Sequence, residues 1–182
     1  MNRRITVALG VTAALGLGVA PAAGAAKNDI QIVGGVVVKP GQFVKDDQRF
    51  RPINKTVKSG STVRVVNKAR TQDPHTITFI AKRFLPKQFE SGLEQQIFTA
   101  HGVDPDAQDA PPANLVVDNG QAVPQGGTLE VDTGFTKTVM GDSAFIAPGQ
   151  KRFSFKVTAD KGSKLFYYCA IHPWMQGKIS VR

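Results

Sequence analysis

The chain has a single cysteine, Cys169, so no disulfide can close within it. It has only three histidines, His75, His101 and His172, too few to hold a polynuclear metal cluster beside a second site. Tryptophan occurs once, at Trp174. Acidic residues are outnumbered, 14 Asp and Glu against 23 Lys and Arg, giving a formal charge of +9. The basic residues form no run interleaved with aromatics, which argues against nucleic acid as a partner. Beyond residue 26 no apolar run approaches the roughly 20 residues needed to cross a bilayer as a helix.

The scarce residues are not scattered. Within Tyr167-Tyr168-Cys169-Ala170-Ile171-His172-Pro173-Trp174-Met175-Gln176-Gly177-Lys178, two residues separate Cys169 from His172 and two more separate His172 from Met175. Soft sulfur ligands with imidazole favour copper, and two His, one Cys and a long, weak Met form the blue-copper electron-transfer set. The second imidazole is supplied by His75, in Asp73-Pro74-His75-Thr76-Ile77-Thr78-Phe79. The alternative for a lone cysteine is a small buried hydrophobe. In an exported chain, however, an unpaired thiol is a liability unless something such as a metal protects it.

Export is expected from the first residues. Asn2-Arg3-Arg4 is a short basic region, Ile5 to Ala20 is apolar, and Ala23-Gly24-Ala25 fits a cleavage site, so residues 1–26 read as a signal peptide. The Arg3-Arg4 pair fits twin-Arg export and a Sec signal alike. The mature protein is then periplasmic, in the cell envelope or extracellular. From Lys151 onward, Lys151, Arg152, Lys156, Lys161, Lys164, Lys178 and Arg182 face only Asp160. Such a face serves solubility, or touches an anionic surface peripherally.

Residues 27–182 read as one domain. Ile30, Ile32 and Val36 to Val38, then Phe50 to Val57, Thr62 to Asn67 and Thr76 to Ile80 have strand patterning with turns between. The polar loop Lys68 to Pro74 delivers His75 to the head of a strand. Phe89, Leu93 and Ile97 fall at helical spacing, with Pro86 at the start and Gly102 at the stop. His101 at that end is read as a helix-terminal imidazolium rather than a ligand. Residues 81–142 form an insertion: this helix, Pro- and Gly-rich loops, and a short strand at Leu115-Val116-Val117. Since ligands and paired strands lie outside it, a short linker in its place should leave a copper-binding β domain. Strands return at Ser143 to Ile146, Phe153 to Val157, Leu165 to Tyr168 and Lys178 to Val181. Many short strands with regular turns predict an all-β, Greek-key sandwich or barrel.

On these residues the chain resembles the cupredoxins, the plastocyanin, amicyanin and azurin type. Phe50-Arg51-Pro52 to Val66-Asn67 resembles the family's early hairpin. Pro74-His75-Thr76-Ile77-Thr78-Phe79 resembles its first ligand segment, and Tyr168 to Met175 its C-terminal ligand loop, with amicyanin-like spacing. The resemblance implies one type 1 copper ion held by His75, Cys169, His172 and Met175. It also implies an amide donor to the sulfur from Thr76. Plastocyanin and amicyanin have Pro two positions after the Cys and lack a second donor; this chain departs from them with Ile171, whose amide is expected to supply one. Further implications are transient redox partner proteins, a monomer, no enzymatic activity, and electron passage at His172 beside Pro173 and Trp174. Three other readings fit the residues less well. A multicopper oxidase or nitrite reductase needs more histidines. A copper carrier or storage protein, the nearest alternative, usually exposes Cys or Met clusters, and only Met140 is spare here. A zinc-stabilised domain would prefer carboxylate to Met.

Overall fold

The computed structural model describes residues 28–87, 92–103 and 112–182. The expected signal peptide at 1–26 and Phe89 lie outside them. Alternating short apolar and polar residues form fourteen strands: β1 (Asp29–Val33), β2 (Val36–Lys39), β3 (Phe43–Asp46), β4 (Arg49–Arg51), β5 (Asn54–Val57), β6 (Thr62–Asn67), β7 (His75–Ile80), β8 (Val116–Asp118), β9 (Gln121–Ala122), β10 (Leu129–Val131), β11 (Ser143–Ile146), β12 (Arg152–Val157), β13 (Lys164–Tyr168) and β14 (Gln176–Val181). β2 and β3 pair with each other as a separate two-stranded hairpin, while one large sheet has the order β10-β12-β6-β1-β4 and the second β5-β14-β13-β7-β11-β8-β9. The inward residues of both, including Ile30, Ile32, Val63, Val65, Ile77, Phe79, Phe155, Tyr167 and Ile179, form the main core of a β-sandwich. The all-β expectation is met.

Three details differ from the sequence reading. The expected early hairpin is not one, because β5 pairs with β14 and β6 pairs with β1 and β12. The turn at Lys58–Ser61 carries the chain from one sheet to the other. The helix α1 (Glu94–Ala100) is shorter than expected, with Pro86, Lys87 and Gly92 outside it. Leu93 and Ile97 are nevertheless both buried, so the apolar spacing still sets the packed face.

The third concerns the insertion, which is part of the architecture. From it, β10 pairs with β12 in one sheet, β8 with β11 in the other, and Leu129 and Val131 enter the main core. It also covers the outer face of the second sheet. There Ile97, Val117 and Phe135 meet Ile80, Tyr168 and Ala170 in a second apolar cluster. Every residue of β7 is therefore buried, on both faces. A linker in place of 81–142 would remove two sheet neighbours and strip this face, so the expectation of a self-sufficient remainder is withdrawn.

Two glycines are forced by close approach. Gly177 lies opposite Tyr167 in the β13–β14 pair, and a Cβ there would fall 2.3 Å from Tyr167 Cζ. Gly34, at φ +103°, crosses Asp47 at the base of the β2–β3 hairpin, where a Cβ would lie 2.3 Å from the Asp47 carbonyl oxygen.

Candidate metal centre

Antiparallel pairing builds the site. β7 begins where β13 ends, with Tyr168 opposite Thr78. His75, the first residue of β7, thereby meets the loop that leaves β13, although 94 positions separate it from Cys169. The loop closes on itself: the Met175 amide donates to the His172 carbonyl at 2.8 Å, and the Cys169 amide to the Met175 carbonyl at 3.0 Å. This short return places His172 back over Cys169.

His75 and Cys169 are fully buried, and His172 is 8 % exposed. Cys169 Sγ lies 3.6 Å from His172 Nδ1 and 4.0 Å from His75 Nδ1. One ligand atom from each residue falls within 4.8 Å of the others. Donors bound to a common first-row metal at roughly 2.0–2.3 Å stand about 3.5–4 Å apart, so the set has the spacing for one ion. His75 Nε2 has no hydrogen-bond partner among the described residues. Met175 is buried in the main core cluster that also holds Cys169, and its backbone closes the loop.

Burial pushes the His75 imidazole down to about 4, with the neighbouring His172 adding to the effect and Asp73 and Asp46 opposing it. Burial also lowers His172, against the same two carboxylates. Both rings are neutral at pH 7 and offer lone pairs. Burial raises the Cys169 thiol, while the amides of Thr76, His172 and Ile171 and the Thr76 side chain pull the other way. A bound cation would take the proton off such a thiol. The expected Thr76 donor is present, its amide reaching Sγ at 3.2 Å. The amide of Ile171, the second expected donor, also favours the thiolate.

Other contributors had weaker signals. Gln48, fully buried, donates to Asp46 at 3.1 Å and to Asp73 at 3.0 Å, holding the two carboxylates that act on both histidines of the cluster. Nothing in the local sequence marks Gln48, because it acts across 25 positions. His101 lies at the C-terminal cap of α1 as expected, but it is buried and bonded to Ser143 and Asn114, away from the cluster. Trp174 is 45 % exposed, with its ring edge-on to His172 at 5.4 Å between centroids, while Pro173 is buried. Trp174 therefore does not pack into the core.

No protein-family model matches the chain, and no curated protein matches it. Among solved structures it is similar to a purple cupredoxin from Nitrosopumilus maritimus, at 16 % identity over 84 % of this chain and 98 % of that one, TM-score 0.39. It is also similar to auracyanin from Roseiflexus castenholzii, at 13 % identity over 85 % and 97 %, TM-score 0.43. A third is plastocyanin from Dryopteris crassirhizoma, at 16 % identity over 85 % and 99 %, TM-score 0.38. A two-sheet sandwich that buries His75, Cys169 and His172 together where β7 begins and β13 ends is cupredoxin-like, in fold and in the side chains it brings together.

Proposed function

We propose that the chain is a mononuclear blue copper protein that carries single electrons between partner proteins outside the cytoplasm. The observation that carries this reading is the buried convergence of Cys169 Sγ with the Nδ1 atoms of His75 and His172. The imidazoles suit Cu(II), the sulfur suits Cu(I), and the bound ion would supply one-electron exchange between those states. The chain's own part is to hold the donors still. The β7–β13 pairing fixes His75 against Cys169, and the closed loop fixes His172. The Thr76 amide stabilises negative charge on the sulfur. Met175 is assigned the weak axial role: it is buried in the same core cluster as the cysteine, three residues after His172.

Burial argues against the carrier or storage alternative. Handing an ion over requires ligands that a partner can reach, and two of these three are fully enclosed. Export rests on the basic and apolar character of residues 1–26. No helix among the described residues is long and apolar enough to cross a membrane.

The test is copper loading followed by metal analysis and an optical spectrum. One copper per chain and an intense thiolate-to-copper band are expected, and Cys169→Ser should abolish the band. Met175→Leu should keep the colour and change the reduction potential. A Cys169→Ser protein as blue as the wild type would overturn the assignment.

A further inference from the structure

The β2–β3 hairpin stands apart from the sandwich. Among the described residues its two strands pair only with each other. Every residue from Val36 to Lys45 is exposed. The large apolar side chains among them are Val36, Val37, Val38, Phe43 and Val44, with Val38 60 % and Val44 70 % exposed. A concentration of such side chains in water marks a surface that is covered when the protein is at work. Strand pairing spreads them over both faces. Val38 lies opposite Val44 on one face; Lys39 lies opposite Phe43, and Val37 opposite Lys45, on the other. The turn between the strands is tight. The Gln42 amide donates to the Lys39 carbonyl at 3.0 Å, with Pro40 and Gly41 (φ +70°) inside it.

The arm is aimed rather than loose. At its base the Asp47 amide donates to the Gly35 carbonyl at 3.1 Å, the Gly35 amide to Asp47 Oδ1 at 2.8 Å, and the Arg70 amide to the Gly34 carbonyl at 2.8 Å. Asp46, the last residue of β3, accepts the Gln48 amide and side chain and acts on both His75 and His172. The arm therefore springs from the end of the sandwich that carries the metal centre. Charge is sorted along it. From Val36 to Lys45 the only charged residues are the cations Lys39 and Lys45, with Lys39 Nζ 5.4 Å from the Phe43 ring centroid. The acids are drawn back to the base and engaged there. Asp46 is held by Gln48, and Asp47 pairs with Arg70 at 3.3 Å and Arg49 at 3.9 Å.

We propose that this hairpin is a membrane-surface arm: Val38, Phe43 and Val44 enter the headgroup boundary of an anionic lipid layer while Lys39 and Lys45 meet its phosphates. A flat partner protein covers one face of a ribbon, whereas a lipid layer closes around both. A second copy of the chain would bring the same lysines and no counter-charge. An anionic leaflet supplies that charge, and it attracts a chain in which 23 Lys and Arg outnumber 14 Asp and Glu. Lysine stems beside valine and phenylalanine let the apolar groups sink while the ammonium groups stay with the headgroups. The unpaired N–H and C=O groups along the two outer edges of the ribbon set the depth. They keep to the hydrated headgroup layer, because hydrocarbon offers them no hydrogen bonds. Strands of four residues reach about 13 Å, against about 5–10 Å for burial at the boundary, so the tip enters and the base stays in water. The lipid contact does not rest on the function proposed above. Under that function, it turns the end of the sandwich with the metal centre toward the bilayer.

The test uses the exported protein, its N-terminus read by mass spectrometry, since an uncleaved apolar leader would bind lipid by itself. Vesicles of equal parts phosphatidylcholine and phosphatidylglycerol should carry the protein down on sedimentation, and vesicles of phosphatidylcholine alone should carry several-fold less. Metal-free and copper-loaded protein should bind alike. Val38→Thr with Val44→Thr keeps both side chains β-branched at exposed positions, so the hairpin should persist while binding falls roughly tenfold. Lys39→Gln with Lys45→Gln should remove most of the preference for phosphatidylglycerol. In bicelles doped with a spin-labelled lipid, the amide signals of Lys39 to Val44 should broaden first. A wild-type protein that does not sediment would overturn the proposal. So would undiminished binding by the Val38→Thr, Val44→Thr protein, which would place the contact on the basic face from Lys151 to Arg182. A concentration-dependent dimer that the same variant disperses, without lipid binding, would overturn it in favour of a second copy. A protein that takes up no copper but sediments through the hairpin would sink the proposed function and leave the arm standing.

Discussion

Tyr167 hides a hydroxyl that has no partner among the described residues. Its ring packs edge-on against Phe50 at 5.1 Å and sits over Gly177, and burial drives the phenol's pKa upward. A buried polar group without a partner costs about 1–3 kcal/mol. Tyr167→Phe keeps the ring contacts and removes the cost, so the variant should unfold at a higher temperature by calorimetry. A lower midpoint would show that the hydroxyl is satisfied. Trp174 makes the opposite point. A large apolar side chain 45 % exposed and edge-on to His172 adds little to the core. Under the proposed function it belongs to the surface through which electrons enter and leave at His172. Trp174→Glu should leave the spectrum and copper content unchanged and slow self-exchange or the reaction with a redox partner. A folded, blue variant as fast as the wild type would remove Trp174 from that path.

At the scale of elements, Asp142 ties together segments that no strand pairing joins. One carboxylate oxygen accepts the Asn119 amide at 2.9 Å, and the other accepts those of Asp132 and Thr133 at 2.9 and 2.7 Å. It anchors the β8–β9 turn and the segment after β10 to the start of β11. Burial outweighs these three amides and pushes the carboxyl up to about 6, with Asp118 adding to the effect. The folded protein therefore holds this proton more tightly than the unfolded chain, whose carboxyl titrates near the ordinary 3.8. The group's contribution favours folding most below about 4 and is lost as pH rises through about 6. Asp142→Asn cannot titrate, so the stability difference, wild type minus variant, should fall across that window. Urea unfolding of the metal-free proteins from pH 4 to 7 measures it, and parallel profiles would contradict the assignment. The variant should also be less stable throughout, because an amide nitrogen would face backbone donors.

For the whole molecule, the decisive feature is the layer added over the second sheet. Ile97, Val117 and Phe135 are fully buried there against Ile80 and Tyr168. Burial of side chains of this size is worth about 1.5–3 kcal/mol each, and a domain's whole stability is about 5–15 kcal/mol. Replacing 94–131 by a short linker removes Ile97, Val117 and the β10 edge, and leaves Tyr168 and Ile80 facing water. Such a variant should lose cooperative thermal unfolding and bind an apolar dye. A variant with a sharp transition would show that the sandwich is self-sufficient. The β2–β3 hairpin behaves differently. Val36, Val37, Val38, Phe43 and Val44 are all exposed, so trimming it should cost the core little.

Sequence alone determined the strands and the candidate ligands, for local physical reasons. Alternation in Phe153 to Val157 needs only a sheet with one wet face, and Cys169, His172 and Met175 announce themselves by chemistry within one short loop. His75 was legible because a polar loop hands it to a strand. Other features depended on pairing that local pattern does not encode. The turn at Lys58–Ser61 reads as a hairpin until β5 joins β14 and β6 joins β1. Thr76 and Thr78 read as the wet face of β7, and only the overlying insertion makes them buried. His101 read as a helix end, because a side chain's partners across 42 positions are set by the tertiary packing. Local periodicity decided which residues point inward, and the packing of the insertion decided which outward residues became a second interior.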